Sequence, residues 1–318
     1  WDQVGHGWFL AVTDSAAPAL YLVNPIGGRY LITDQLPNAK DRIAQWSPDG
    51  KRVMLIRMKG TARILTELEL ATGRMLHTVN IGERGFFGYT RPEGHAILVI
   101  RFRGTSPSLE RLATNGSHQL TYPRTLPGFG QIGFPVLYNA EGTELLVGGE
   151  HGMALLGNDG HLIRILPAPA GAQGCWPSKW WNSSTVLEAC NFDVSPRYAL
   201  LLQPVAGGQP EKLAGASKTY PLGFADAWRY SAGTLLSEGS GCGPGRLDIL
   251  RDGVIRTLPL PAGVEGYPPV IGVDGDVLTL RRLGGCPIRE KESVISVNLV
   301  TGATITLFKG NAGMIPYP

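Results

Sequence analysis

Trp46-Ser47-Pro48-Asp49-Gly50-Lys51-Arg52 is a dense piece of punctuation between two short apolar runs. An aromatic residue ends the first run, Ile43 to Ser47. Pro48 and Asp49-Gly50 then supply a tight turn, and a second run starts at Arg52. Gly at such a turn takes a positive φ cheaply, as a hairpin requires. Variants follow at Tyr89-Thr90-Arg91-Pro92-Glu93-Gly94 and at Tyr138-Asn139-Ala140-Glu141-Gly142. Weaker turn pairs continue the series at Asn182-Ser183, Ala232-Gly233 and Asp274-Gly275. A second series alternates with it: Gly27-Gly28, Thr72-Gly73, Asn115-Gly116, Asp159-Gly160, Gly207-Gly208, Asp252-Gly253 and Thr301-Gly302. Its second residues are 45, 43, 44, 48, 45 and 49 residues apart.

Each period therefore holds four short strands joined by hairpins, here called A to D from the inside outward. The unit around Trp46 reads as Ile43 to Ser47, Arg52 to Met58, Ala62 to Leu70 and Met75 to Asn80. Four strands per such period is the spacing of a propeller blade, and one blade cannot cover both of its own faces. There are seven outer turns against six inner ones, so the first blade lacks its own A strand. Met314 to Pro318 supplies a candidate, with Tyr317 where Trp46, Tyr89, Tyr138 and Trp181 stand in other units. Pro316 and Pro318 count against regular pairing there. The expectation is one all-β domain over residues 1–318, a seven-bladed β-propeller of four-stranded antiparallel blades with its ring closed by the C-terminal strand.

The 46–52 stretch resembles the W-S-P-D-G-K signature of TolB-type propellers. The resemblance is good in the second blade, partial in the third and fourth, and weak in the fifth to seventh. The run Cys175-Trp176-Pro177 to Trp181-Asn182 and on to Cys190 resembles secreted actinobacterial members of that group. What the resemblance implies is binding or scaffolding, and it carries no catalytic residue across.

Composition agrees with a turn-rich β protein: 43 Gly and 24 Pro against 17% charged residues. No apolar run approaches the roughly 18 residues of a membrane span. The net charge of +3 gives no argument for nucleic acid. The chain begins at Trp1, as expected of a secreted, extracellular or surface-exposed form from which a signal peptide has been removed, or of an ectodomain. Four cysteines in such a chain suggest two disulfides, with three connectivities open. If the turn lies at Asn182 to Ser184, Cys175 falls opposite position 191, and one small irregularity joins it to Cys190. Cys242 and Cys286 both end B strands in neighbouring blades, which pairs them.

Motifs for catalysis are weak. Gly128-Phe129-Gly130-Gln131-Ile132-Gly133 matches G-x-G-x-x-G, but it leads into a strand, where a dinucleotide site needs a helix. The six His are scattered, so no metal ligand set and no cofactor is expected. Topology points to the long B–C and D–A connections, opposite the tight A–B and C–D turns, as the face with room for a site. Cationic B-strand ends there are Arg57, Arg101, Arg103 and Arg281 with its neighbour Arg282; Arg101 and Arg103 share one strand face. At exposed strand ends, reversing Arg101 and Arg103 to Glu is expected to change stability little. Phe86, Trp176, Lys179 and Trp228 complete the candidate set, with Phe87, Phe134, Phe224 and Tyr267 as further aromatics. Glu150, Glu188, Asp193 and Glu238 line the acidic half. The expected partner is a protein, a peptide or a cell-envelope glycan. The alternative is a propeller lyase or hydrolase, which needs converging titratable groups in the funnel.

Overall fold

The computed structural model describes residues 3–13, 15–103, 106–149, 151–192, 197–238, 246–260, 270–282 and 292–318. In the unit around Trp46 the strands are Arg42–Trp46, Arg52–Lys59, Ala62–Glu69 and Met75–Gly82, hydrogen-bonded antiparallel in that order. Each boundary falls within two residues of the expected run. The same order recurs in blades spanning 85–121, 133–167, 174–215 and 224–257. A single pairing, Gly149 with Cys175, joins the inner parts of two consecutive blades. The G-x-G-x-x-G run leads into the strand Gly133–Tyr138, not into a helix. Among the described residues the fold is all-β, and no helix is long and apolar enough to cross a membrane.

The run Val53-Met54-Leu55 shows why the blades must stack. Successive side chains of a strand point to opposite faces. Val53 and Leu55 pack with Leu10, Leu20 and Leu22 on one side. Met54, between them, packs with Tyr89, Ile97 and Val99 of the next blade on the other. Both faces are apolar, so the strand reads as a continuous hydrophobic run.

Polar contacts fix the spacing of the stacked sheets. The buried carboxylate of Glu67 accepts from Arg52 Nη1 at 3.2 Å and from the Tyr89 hydroxyl of the neighbouring blade at 2.8 Å. Burial, reinforced by Glu67, raises the pKa of Tyr89 well above the usual phenol value, so it remains a donor. Arg52 also lies over the Tyr89 ring, 5.7 Å from its centroid. The tight turns press on their neighbours too. Gly142 has φ of 70°, and a Cβ there would lie 2.0 Å from the carbonyl oxygen of Arg91 in the preceding blade. No L side chain is tolerated at that approach without movement.

The C-terminal strand Thr304–Pro316 has two partners. Its first part pairs with Glu292–Asn298, and its second part pairs with Phe9–Thr13 near the N-terminus, with Leu10 opposite Ile315. Pro316 ends the strand opposite Phe9, where its missing N–H is tolerated. Tyr317 N donates to Trp8 O, and the Tyr317 ring meets Trp46 edge-on at 5.2 Å. A double-mutant cycle of Trp46→Leu and Tyr317→Leu in denaturant unfolding should show a coupling of about 0.5–1.5 kcal/mol. Additivity within about 0.3 kcal/mol would mean the two rings do not support each other.

Candidate functional site

The inner strands of four consecutive blades surround a cavity of about 540 Å³. Gln45, Tyr89, Tyr138 and Lys179 each come from a different blade. Ala140, Glu141, Asn182 and Ser183 are exposed at its mouth and belong to the tight A–B turns. The cavity therefore opens at the tight-turn end. Sequence reasoning placed the functional surface at the opposite end. Much of that end, residues 193–196, 239–245, 261–269 and 283–291, lies outside the described residues.

The polar groups of the cavity wall differ in how far they are satisfied. Lys179 Nζ lies 2.8 Å from Asp226 Oδ1 and 3.8 Å from the centroid of the Trp228 ring. Ser178 Oγ donates to the same oxygen at 2.9 Å. Burial lowers the Lys179 pKa, and Asp226 opposes that shift. Arg91 is half-buried and, among the described residues, has no hydrogen-bond or ion-pair partner. Burial alone pulls its pKa down from the usual guanidinium value, though such a group stays charged. Sequence reasoning missed it, and a signal was present. Trp46-Ser47-Pro48-Asp49-Gly50 and Tyr138-Asn139-Ala140-Glu141-Gly142 have five residues, whereas Tyr89-Thr90-Arg91-Pro92-Glu93-Gly94 has six. Arg91 is the extra residue of that turn.

The expected cations at the B-strand ends whose side chains are described, Arg57, Arg101 and Arg281, are engaged within the protein. Arg57 Nε lies 3.9 Å from the buried Asp41. Arg101 Nε lies 2.9 Å from Glu110 Oε1, and Arg84 Nε lies 2.9 Å from Glu110 Oε2. Glu110 is only 3% exposed, so Arg101 neutralises a buried carboxylate. That departs from the exposed, stability-neutral role expected of it: reversal to Glu would set two carboxylates together. Arg281 is half-buried and engaged. The side chains of Arg103, Arg282 and Phe134 lie outside the described residues, as do Glu150, Asp193 and Tyr267. Phe86 packs edge-on to Tyr89 at 6.5 Å, and Trp176 edge-on to Tyr198 at 5.8 Å. Within the expected set, Lys179 and Trp228 are thus brought into direct contact, and Lys179 borders the cavity.

Cys175 and Cys190 form a disulfide and are direct cross-strand partners. The irregularity needed to align them is present: the register shifts between Pro177 and Lys179 and again between Trp180 and Asn182. Cys242 and Cys286, and with them the second expected bridge, lie outside the described residues. Glu188 is 2% exposed beside the disulfide, with Oε1 lacking a hydrogen-bond partner among the described residues. Burial pushes its pKa up to about 7.

No protein-family model matches the chain, and no curated protein does. Solved structures do match. A prolyl endopeptidase aligns with 98% of the chain at a TM-score of 0.63 and 11% identity, over 49% of its own length. The β-propeller domain of the Trilobed protease from Pyrococcus furiosus, described as having an open velcro topology, aligns over 96% of both chains at 0.58 and 12% identity. TolB from Acinetobacter baumannii aligns with 79% of the chain at 0.51 and 14% identity, over 63% of that protein. The chain thus spans about half the length of the endopeptidase and less than two thirds of TolB. At these identities the likeness is one of fold, and the fold is a TolB-like β-propeller.

The Glu188 shift makes stability depend on pH in a defined direction. Below about pH 4.5 the carboxyl is protonated in both states. Between about 4.5 and 7 the unfolded chain releases the proton first, so stability falls as pH rises. Above about 7 the full penalty is present, roughly 3 kcal/mol. Glu188→Gln should match the wild type in denaturant midpoint at pH 4 and exceed it at pH 8. Equal midpoints at both values would show that Glu188 ionises freely in the folded state.

Proposed function

We propose that this protein is a binding propeller acting outside the cytoplasm, and that it holds its ligand in the inner cavity. Seven four-stranded blades, with the ring closed by residues 311–316, make up the scaffold in this reading. The observation that carries it is the cavity itself, bounded by inner strands of four blades and lying within the usual volume range of ligand sites, about 300–1,000 Å³. Its wall is apolar around Phe87, Leu98, Val136 and Leu137, with polar groups gathered at the mouth. Among its described lining residues Glu141 is the single carboxylate and none is histidine, so neither a His–acid pair nor a pair of carboxylates converges there. That favours binding over hydrolysis. The Cys175–Cys190 disulfide supports an oxidising compartment.

The ligand classes that fit are a peptide, a protein segment or a cell-envelope glycan. The long-loop face is kept as a second proposed surface, with Arg57, Arg101, Arg103, Arg281, Phe86 and Trp176. A ligand there reaches Arg57 and Arg101 only in competition with Asp41 and Glu110. The test is a thermal-shift panel of cell-wall glycans and peptides on the wild type and on Ala140→Trp, which narrows the mouth. A ligand at a hundredfold its Kd should stabilise the wild type by about 2.7 kcal/mol and lose that effect in Ala140→Trp. A ligand that stabilises both proteins equally would move the site away from this cavity, and turnover of a panel member would replace binding with catalysis.

A further inference from the structure

We infer that Arg91 is an anion anchor in this cavity, and that the ligand it selects is a monocarboxylate carried on a flat apolar body. The inference rests on the cavity being the binding site and goes further by fixing the ligand's charge and shape. Three observations support it.

The first is the unmatched charge. Every other described cation considered above sits on an acid or is otherwise engaged, whereas Arg91 is partly removed from water with no acceptor among the described residues. Withdrawing a guanidinium partly from water without a counter-ion is unfavourable, and no acid among the described residues offsets that cost. A ligand anion would.

The second is rigidity. Arg91 is the additional residue of its turn, and its carbonyl oxygen is packed against the Gly142 turn of the next blade. The backbone that presents the side chain is therefore held by a neighbouring sheet. The planar fork of guanidinium donors suits the two oxygens of a carboxylate.

The third is the charge count around the cavity. Lys179 is already countered by Asp226, and Glu141 adds a carboxylate at the mouth. Arg91 is thus the single cation of the described lining without an ion-pair partner, and with Glu141 at the mouth repelling further negative charge, a singly charged ligand is favoured over a phosphate dianion. Phe87, Leu137 and Trp180, which line the same space, fit an aromatic or otherwise flat body.

The experiment is calorimetric titration at pH 7 with three probes of one shape: 2-naphthoate, 2-naphthyl phosphate and 2-naphthalenemethanol. Wild-type protein should bind the carboxylate tightest, with the alcohol weaker by about 10- to 100-fold, the range of a charge-assisted hydrogen-bonded pair. Arg91→Gln should bring the carboxylate-to-alcohol ratio close to one, and Arg91→Lys should keep part of it. Without ligand, Arg91→Gln should melt no lower than the wild type, because it removes a half-buried unpaired charge, keeps most of the aliphatic stem and breaks no hydrogen bond or ion pair among the described residues. A carboxylate-to-alcohol ratio that survives Arg91→Gln overturns the anchor. Tighter binding of the phosphate overturns the preference for a single charge. Absence of binding by all three naphthyl probes overturns the inferred ligand class, whereas the cavity reading fails separately, when panel ligands ignore Ala140→Trp.

Discussion

A four-stranded sheet with apolar residues on both faces is unstable in water until something flat and apolar covers each face. Val53-Met54-Leu55 shows this constraint within three residues, since its side chains enter two different clusters on opposite sides of one blade. Neighbouring blades supply the cover, and the remaining architecture follows. Sheets this close need small turns at their inner ends, and a polar link such as Arg52–Glu67–Tyr89 needs a fixed spacing. Arg91 O against Gly142 is the same constraint at the rim. The double pairing of the C-terminal strand extends it to the two ends of the chain.

The same packing determines the chemistry of the charged groups. Among the described residues, stacking the sheets buries carboxylates at Asp41, Glu67, Glu110, Glu188 and Asp248. Four of the five draw a cation to themselves: Arg57, Arg52, the pair Arg84 and Arg101, and Arg246. Burial raises the pKa of Asp41 and Asp248 even against their arginines, and Glu188, with no cationic partner among the described residues, is pushed up to about 7. Arg91 is the converse, a cation in a partly dry wall with no ion-pair partner among the described residues. Groups left unmatched by a fold are the ones free to respond to pH or to a ligand.

Local grammar was legible in the sequence, and pairings across sheets were less so. Turn residues marked the hairpins, and strand ends fell within two residues of their places because Asp49-Gly50 and Thr72-Gly73 fix them chemically. The Cys175–Cys190 bridge could be derived because both residues lie in one hairpin. The ends of B strands misled, since Arg101 looks exposed until the neighbouring strand brings Glu110 to it. Alternation carried a partial signal: Arg101 lies opposite Ser108, and Glu110 is the diagonal neighbour on the same face. The burial of Glu188 depends on what packs over it, which no spacing along the chain reveals. Arg91 was visible as an extra residue in a repeated turn, a departure from pattern that is easily taken for noise.

Amide hydrogen exchange tests the dependence on blade packing most directly, comparing the full chain with one that ends at Gly310. The shortened chain keeps the part of the last strand that pairs with Glu292–Asn298 and loses the part that pairs with Phe9–Thr13. The account predicts that the amides of Leu10 to Val12 lose their protection, and that the blade around Trp46 exchanges faster because Tyr317 no longer covers it. Unchanged protection at Leu10 to Val12 in the shortened chain would contradict it, because the first blade would then be stable without its inner strand.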